Sequence, residues 1–161
     1  MGGRPRPSCL EKATQLLAQR SHFRRELETK LAARSYPRAE IDAALARLTD
    51  LGYLDDAKTA QELVSLRLSR AGGEGKRRLA AELARRGVAR EVGEAALADL
   101  DPERELAFAR EHATDFARRG GTDPLALARR LERKGFSARA IRQVMDEVGS
   151  EVEIEEAEEE A

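Results

Sequence analysis

Hydrophobic residues recur along this chain at intervals of three and four positions, which is the spacing of an amphipathic helix. Leu27 and Leu31 show the pattern, because residues four apart lie on the same face of a helix. Glycine, proline and short polar residues interrupt it at regular intervals and leave about nine segments of helical length. β-Branched residues are scarce, which argues against an extensive sheet. The pattern therefore predicts an all-α protein.

Start and stop signals support these helical segments. Asp-Pro pairs at 101–102 and 123–124 provide a capping side chain followed by a proline, which fits the first turn of a helix. Gly52, Gly87 and Gly135 stand where a residue in the left-handed conformation would end a helix. We expect a helix boundary at each of these positions.

Three stretches of the chain align with one another, starting at Phe23, Lys76 and Pro124. Each contains two leucines four positions apart, then a turn, then an apolar residue that anchors the next helix. The aligned triplets are Leu27, Leu31 and Tyr36; Leu79, Leu83 and Val88; and Leu127, Leu131 and Phe136. A leading helix is predicted before each matched pair of helices, at residues 9–19, 56–71 and 103–118.

The alignment predicts three tandem three-helix repeats. Each repeat is short for an independent core, and stacking in series would bury the apolar faces that remain. We therefore expect an elongated, curved rod. The predicted bounds are 9–51, 52–100 and 101–149 for the repeats, 1–8 for a flexible N-terminus and 150–161 for a disordered acidic tail.

The net charge of −1 conceals an uneven distribution of charge along the chain. Residues 151–161 contain seven glutamates and no base, so the rest of the chain has 29 basic against 23 acidic residues, a net charge of +6. Of the basic residues 24 are arginine, whose planar guanidinium matches the oxygens of phosphates and carboxylates. The densest basic stretch runs from Arg67 to Arg90, with eight bases against Glu74 and Glu82.

This stretch predicts a basic face for an anionic partner. The alternative is a solvated face on which arginines pair with acids of the same helix. Arg118 and Arg119 would extend the face along the chain. The predicted basic face comprises Arg67, Arg70, Lys76, Arg77, Arg78, Arg85, Arg86 and Arg90, continued by Arg24, Arg25, Arg129, Arg130, Arg133 and Lys134.

The segment RAGGEGKRRL, residues 70–79, raises the question of a nucleotide-binding loop. Arg70 occupies the position of the first glycine of such a loop, and Arg77 replaces the Ser or Thr that would hold magnesium. The residues before it have the pattern of a helix rather than of a strand. We interpret the glycines as the end of one helix and the start of the next, whose free amides attract an anion together with Lys76, Arg77 and Arg78.

Candidate catalytic and metal-binding residues are few. His22 and His112 have no partner at metal-ligand spacing, and Cys9, the only cysteine, has no credible base. We therefore predict no enzyme activity, no metal site and no cofactor. The chain has no run of about 18 apolar residues and no apolar stretch of signal-peptide length, so we expect a cytoplasmic protein without a membrane segment.

One long stretch, LGYLDDAKTAQELVSLRLSRAGGEGKRRLAAELARRGV, resembles the signature of the RecX family, the bacterial regulators of the RecA recombinase. The signature comprises GYLDD, a helix, a pair of glycines, a basic helix start and a turn that ends in Gly-Val. Ser35 departs from the family, which usually has glycine there, and we expect a less tight turn at that position. The residues that carry the resemblance are Gly52, Tyr53, Leu54, Asp55, Asp56, Gly73, Gly75, Lys76, Arg77, Arg78, Leu83, Gly87 and Val88.

We expect structural roles for the GYLDD motif. Tyr53 and Leu54 would be buried at the joint between two repeats, as is usual for large apolar side chains between packed helices. Asp55 or Asp56 would cap the helix that follows, because a short carboxylate accepts hydrogen bonds from free backbone amides.

The resemblance implies a monomeric protein that binds RecA–DNA filaments and opposes filament growth, ATP turnover and strand exchange. Such a protein limits recombination and the DNA-damage response. DNA would be contacted through its phosphates without sequence specificity, since the basic stretches contain no aromatic residue that could stack on bases. Two alternatives stay open: a general helical DNA-binding protein that acts by occupying DNA, and a protein–protein adaptor without nucleic-acid contact.

Overall fold

The computed structural model describes residues 6–70 and 72–159, and over 151–159 it describes the backbone alone. These residues form nine α-helices and no strand, which confirms the predicted all-α class. None of the helices over these ranges is long and apolar enough to cross a membrane. The helices are α1 (Cys9–Gln19), α2 (Arg24–Ala32), α3 (Arg38–Asp50), α4 (Asp56–Leu68), α5 (Lys76–Arg85), α6 (Arg90–Ala96), α7 (Pro102–Arg118), α8 (Pro124–Lys134) and α9 (Ala138–Glu159).

Local capping explains where several helices begin. Ser8 and Glu11 form a capping box at the start of α1, in which each side chain accepts a hydrogen bond from the backbone of the other residue. Asp101 and Asp123 accept backbone hydrogen bonds from the first turns of α7 and α8, at 2.7 and 2.9 Å. The predicted Asp-Pro starts are therefore confirmed.

The chain divides into two compact units. Unit 1 contains the described residues up to Leu63 together with Leu83–Ala96, and unit 2 contains Val64–Glu82 together with the described residues from Leu97 onward. The divisions fall inside α4 and α5 rather than at the predicted boundaries between repeats. Those boundaries, and the rod shape, stay predictions.

Each unit has a core built from three helices. In unit 1, α1, α2 and α3 pack against one another around fully buried leucines such as Leu27, Leu31 and Leu45. In unit 2, α7, α8 and α9 pack around Leu131 and Phe136, both fully buried. The leucines spaced four apart in the sequence are thus core residues, as their period indicates.

Three helix–helix turns have the same geometry. Ser35, Gly87 and Gly135 adopt left-handed φ values of 59°, 80° and 83°. In each turn the following residue donates its N–H to the carbonyl of the second aligned leucine, over 3.4, 3.1 and 3.2 Å in chain order. The bond after Ser35 is the longest of the three, and the turn keeps its conformation although a side chain is present there.

The flexible N-terminus and the disordered acidic tail stay predictions, and the described residues next to them have the following structure. Tyr36 donates its hydroxyl to the carbonyl of Pro7 over 2.7 Å, and Arg6 stacks over the Tyr36 ring at 4.1 Å. Residues 1–5 of the predicted flexible N-terminus lie outside the described residues. Helix α9 continues to Glu159, where the sequence predicts a disordered tail, and glutamate is a good intrinsic helix former.

Candidate nucleic-acid interface

The glycines of RAGGEGKRRL bring two backbones of unit 2 into close contact. Gly75 donates its N–H to the carbonyl of Lys134 over 3.0 Å, and Arg77 donates to the carbonyl of Gly135 over 3.1 Å. A β-carbon at position 75 would overlap the backbone of Gly135 and Phe136. The start of α5 therefore packs directly on the turn between α8 and α9, and only glycine fits there.

The free amides predicted at the start of α5 have internal partners. The buried carboxylate of Glu105 accepts a hydrogen bond from the Lys76 amide over 3.0 Å, and the same oxygen accepts one from the Ser137 amide over 3.2 Å. Glu105 thus caps α5 and α9 together. The prediction that these amides attract an external anion is wrong, because a carboxylate of the protein already occupies that position.

This packing places two predicted basic runs side by side in unit 2. We call this arrangement the second joint: the start of α5, Glu105 and the turn at Gly135. The Arg78 guanidinium donates to the carbonyl of Arg133 over 3.1 Å and forms an ion pair with Glu74 at 3.3 Å. The remaining members of the two runs have no ion pair among the described residues; they are Lys76, Arg77 and Arg133, which are exposed, and Lys134, which is half-buried.

Other predicted members of the basic face in unit 2 divide into paired and unpaired residues. Arg67 lies between two carboxylates, Glu74 at 3.8 Å and Glu82 at 3.0 Å, and its side chain is only 25% exposed. These contacts give Arg67 a structural role. Arg70 and Arg129 are exposed and have no ion pair within the described ranges.

A related arrangement in unit 1, the first joint, consists of the start of α2, the carboxylate of Asp56 and the turn at Gly87. Asp56 accepts a hydrogen bond from the Arg24 amide over 2.8 Å, and burial raises the pKa of this carboxyl above its ordinary value. Arg24 and Lys76 are equivalent positions in the aligned repeats, three residues before the first leucine. In both joints the carboxylate comes from the leading helix that follows in the chain.

Basic side chains of unit 1 are largely engaged with neighbouring groups. Arg25 packs its aliphatic part against Gly87, and Arg24 pairs with Glu28 at 3.7 Å. The Arg86 guanidinium lies 5.9 Å from the centre of the Phe23 ring.

The last two predicted basic residues of unit 1 are more exposed. Arg90 forms a surface ion pair with Glu94 at 2.7 Å. Arg85 is exposed and has no ion pair in the described part of the chain. The structure therefore separates the predicted basic face into a mostly engaged set in unit 1 and a mostly available set in unit 2.

The GYLDD motif has the predicted roles in part. Leu54 is buried, and Asp55 caps α4 by accepting a hydrogen bond from the Lys58 amide over 2.9 Å. The prediction that Tyr53 is buried is wrong, since its side chain is 69% exposed. Gly52 adopts a left-handed conformation after α3, and in the turn that follows Leu54 faces the core while Tyr53 faces solvent.

The described residues contain no cluster of histidine, cysteine or acidic side chains that could hold a metal ion. His22 and His112 are both buried, and burial lowers the pKa of each imidazole. Cys9 is also buried, which raises the pKa of its thiol and keeps it protonated.

Comparison with known proteins gives consistent matches. Residues 9–48 match the family model described as "RecX, first three-helix domain", and residues 55–97 match "RecX, second three-helix domain". Regulatory protein RecX of Mycolicibacterium smegmatis is 44% identical over 109 residues, which are 68% of this chain and 57% of that protein. Regulatory protein RecX of Stenotrophomonas maltophilia is 36% identical over 148 residues, 86% of each chain.

A solved structure shows the same fold. The crystal structure of RecX from Lactobacillus salivarius superposes with a TM-score of 0.79 at 21% sequence identity, covering 88% of this chain and 94% of that chain. The chain spans less than two thirds of the length of the Mycolicibacterium smegmatis relative but most of the Stenotrophomonas maltophilia relative.

Proposed function

The chain belongs to the RecX family, and from this premise we propose that it binds RecA–DNA filaments and restrains their activity. The proposal rests on family membership, in particular on 36% identity to a regulatory protein RecX over 86% of the chain. In this role the protein inhibits filament growth, ATP turnover and strand exchange, and thereby limits recombination and the DNA-damage response.

The exposed basic side chains of the second joint support a contact between this protein and DNA phosphates. Lys76, Arg77 and Arg133 are exposed and have no ion pair among the described residues, so that binding an external anion breaks no ion pair of their own. Contacts of this kind release counterions from DNA and are insensitive to base sequence. The affinity for a filament should therefore fall as the salt concentration rises.

The rigidity of the second joint supports a specific arrangement of these charges. The backbone contact at Gly75 and the double cap by Glu105 connect α5 to α8 and α9 through four hydrogen bonds of 3.0 to 3.2 Å. Side chains that project from a rigid joint lose less conformational freedom on binding than side chains of a flexible loop.

We expect the protein to act as a cytoplasmic monomer without catalytic activity of its own.

The proposal is tested by measuring DNA-dependent ATP turnover by RecA of the same organism while this protein is titrated in, at low and at moderate salt. Inhibition at a small fraction of the RecA concentration supports a regulator of filaments. Inhibition only once the DNA itself is saturated supports the alternative, a general DNA-binding protein, and no inhibition at any concentration contradicts both.

A further inference from the structure

A second basic surface in unit 2 is built mainly on α7 and shares Lys134 with the basic runs at the second joint. It is a solvent-open cleft of about 750 Å³, lined by the C-terminal half of α7 and the end of α8. Its basic lining residues are Arg110, Arg118, Arg119, Arg130 and Lys134, and its carboxylates are Glu111 and Asp115.

Three guanidinium groups converge on one carboxylate inside this cleft. Asp115 lies 2.7 Å from Arg130, 3.1 Å from Arg119 and 3.6 Å from Arg118. The hydrogen bond from Arg119, together with that from Arg130, holds the pKa of Asp115 below its ordinary value, so that the carboxylate stays ionised. A single negative charge therefore faces three positive ones.

The other charged groups of the cleft do not remove this excess. Arg110 is neutralised by Glu147, which accepts its hydrogen bond over 2.8 Å. Glu111 accepts a hydrogen bond from the Gly72 amide over 2.9 Å, and Lys134 has no ion pair within the described residues. Five cations thus face Glu111, Asp115 and Glu147, which leaves a net charge of +2.

Helix stability alone accounts for only part of this cluster. Arg118 and Arg119 lie at the end of α7, where cations interact favourably with the helix dipole and pair with Asp115 three and four residues earlier. Arg130 belongs to another helix, is only 26% exposed and reaches the same carboxylate. Guanidinium groups that converge from two helices in a concave site match the several oxygens of a phosphate group.

We propose that this cleft binds phosphate groups of the DNA backbone and that Asp115 is an internal anion that exchanges its arginine partners with an incoming phosphate. The inference rests on the proposed function in one respect, since it takes DNA as the anionic partner. The sequence predicts Arg118, Arg119, Arg130 and Lys134 only as continuations of the basic face, and the structure brings them together in one cleft with Asp115.

The test compares two double variants that remove equal charge from unit 2. Arg118→Ala with Arg119→Ala removes two cleft side chains that are each 73% exposed, so the fold should be retained. Arg139→Ala with Arg142→Ala removes two exposed arginines of α9 that do not line the cleft. Binding of a fluorescently labelled oligothymidylate is measured by anisotropy over a series of salt concentrations, after circular dichroism has confirmed helix content.

We expect the cleft variant to bind the oligonucleotide about tenfold more weakly at low salt, and the slope of log affinity against log salt to fall by about 1.4, the contribution of two phosphate contacts on a single strand. The α9 variant should lose less than about twofold. Equal losses in the two variants would overturn the proposal.

Asp115→Asn should tighten binding of the oligonucleotide about threefold, since it frees three guanidinium groups. An unchanged affinity of a folded Asp115→Asn variant contradicts the exchange.

The failure of this inference can be told apart from that of the proposed function. If the wild-type protein binds DNA and the two double variants bind it with equal affinity, the phosphate site in the cleft is contradicted but the proposed function is not. If the wild-type protein does not bind DNA at low salt, the DNA contact proposed at the second joint and the one proposed in the cleft are both contradicted. If the cleft variant binds RecA filaments more weakly but binds naked DNA as the wild-type protein does, the cleft contacts an acidic protein surface. That result overturns the phosphate site.

Discussion

The first joint in unit 1 and the second joint in unit 2 are built from the same parts but hold their basic side chains differently. In the first joint Asp56 accepts one backbone hydrogen bond, from Arg24, whereas in the second joint Glu105 accepts two, from Lys76 and Ser137. A glycine turn completes each joint, at Gly87 against a side chain and at Gly135 against the start of α5.

The difference indicates which joint is available to a partner. In the first joint Arg24 pairs with Glu28 and Arg25 packs on Gly87, so that both side chains contribute to unit 1 itself. In the second joint Lys76 and Arg77 are exposed without an ion pair among the described residues. Basic residues at aligned positions thus make contacts within the protein in unit 1, whereas in unit 2 they are exposed and available to bind a partner.

The largest expected effect comes from the close backbone contact of the second joint. Gly75→Ala should destabilise the protein by about 3 kcal/mol or more, because the new β-carbon meets backbone atoms that cannot move without disrupting the turn at Gly135. Gly87→Ala, whose new β-carbon would have the Arg25 side chain as its nearest contact and which has a φ of 80°, should cost about 1 to 2 kcal/mol. Urea denaturation measures both values, and a larger loss for Gly87→Ala contradicts the comparison.

Removal of the capping carboxylates should have the next largest effect. Glu105→Ala leaves two backbone amides without their partner and should cost about 2 to 3 kcal/mol. Asp56→Ala leaves one and should cost about 1 kcal/mol. Glu103→Ala, at an exposed position in the same helix as Glu105, is the control and should change stability little. Thermal unfolding followed by circular dichroism distinguishes these outcomes, and equal effects at 105 and 103 would refute the double cap.

Both units should lose stability at mildly acidic pH. Burial lowers the pKa of His22 and of His112 in the folded protein below the ordinary value of 6.5, so that the unfolded chain binds more protons as the pH falls. Stability should be complete above about pH 6.5 and decrease below it, by a few degrees in Tm between about pH 7 and pH 5.5. The double variant His22→Gln, His112→Gln should show a lower Tm with a flatter pH dependence over this interval. A Tm that is equal at both pH values in the wild-type protein argues against neutral buried histidines.

The smallest effect is expected at the turn between α2 and α3. Ser35 has a φ of 59°, a conformation that glycine adopts at lower cost than other residues. Ser35→Gly should therefore stabilise the protein by roughly 0.5 kcal/mol, after allowance for the greater freedom of glycine in the unfolded chain. Gly52→Ser, a change in the opposite sense at a position with φ of 73° and open space around it, should destabilise. Chemical denaturation of both variants checks the sign of each change.

Local features of the chain predict most of the helices and turns. The leucine pairs and the residues at 35, 87 and 135 act within one or two helical turns, and the structure confirms the geometry that they indicate. Tyr53 shows the limit of such reasoning, because an aromatic residue in a turn can face either the core or solvent and only the surrounding helices decide.

The chemistry of the two joints is less accessible to sequence reasoning. Glu105 accepts hydrogen bonds from residues 29 and 32 positions away, and no local pattern marks it among the other acids of α7. Arg67 and Arg77 look equivalent in sequence, yet one lies between two carboxylates while the other is exposed. Asp56 and Glu105 each lie in the first turn of a leading helix, but this position does not distinguish Glu105 from Glu103.

The central claim is that the exposed basic side chains of the second joint bind the RecA–DNA filament. One comparison of variants tests it. Arg77→Ala with Arg133→Ala removes two exposed side chains of the second joint without an ion pair among the described residues, whereas Arg24→Ala with Arg90→Ala removes two paired arginines of unit 1. The affinity of each folded variant for RecA filaments on single-stranded DNA is measured by anisotropy at low salt. We expect a loss of about tenfold for the first pair and less than about twofold for the second. Equal losses, or a greater loss for the unit 1 pair, would contradict the account.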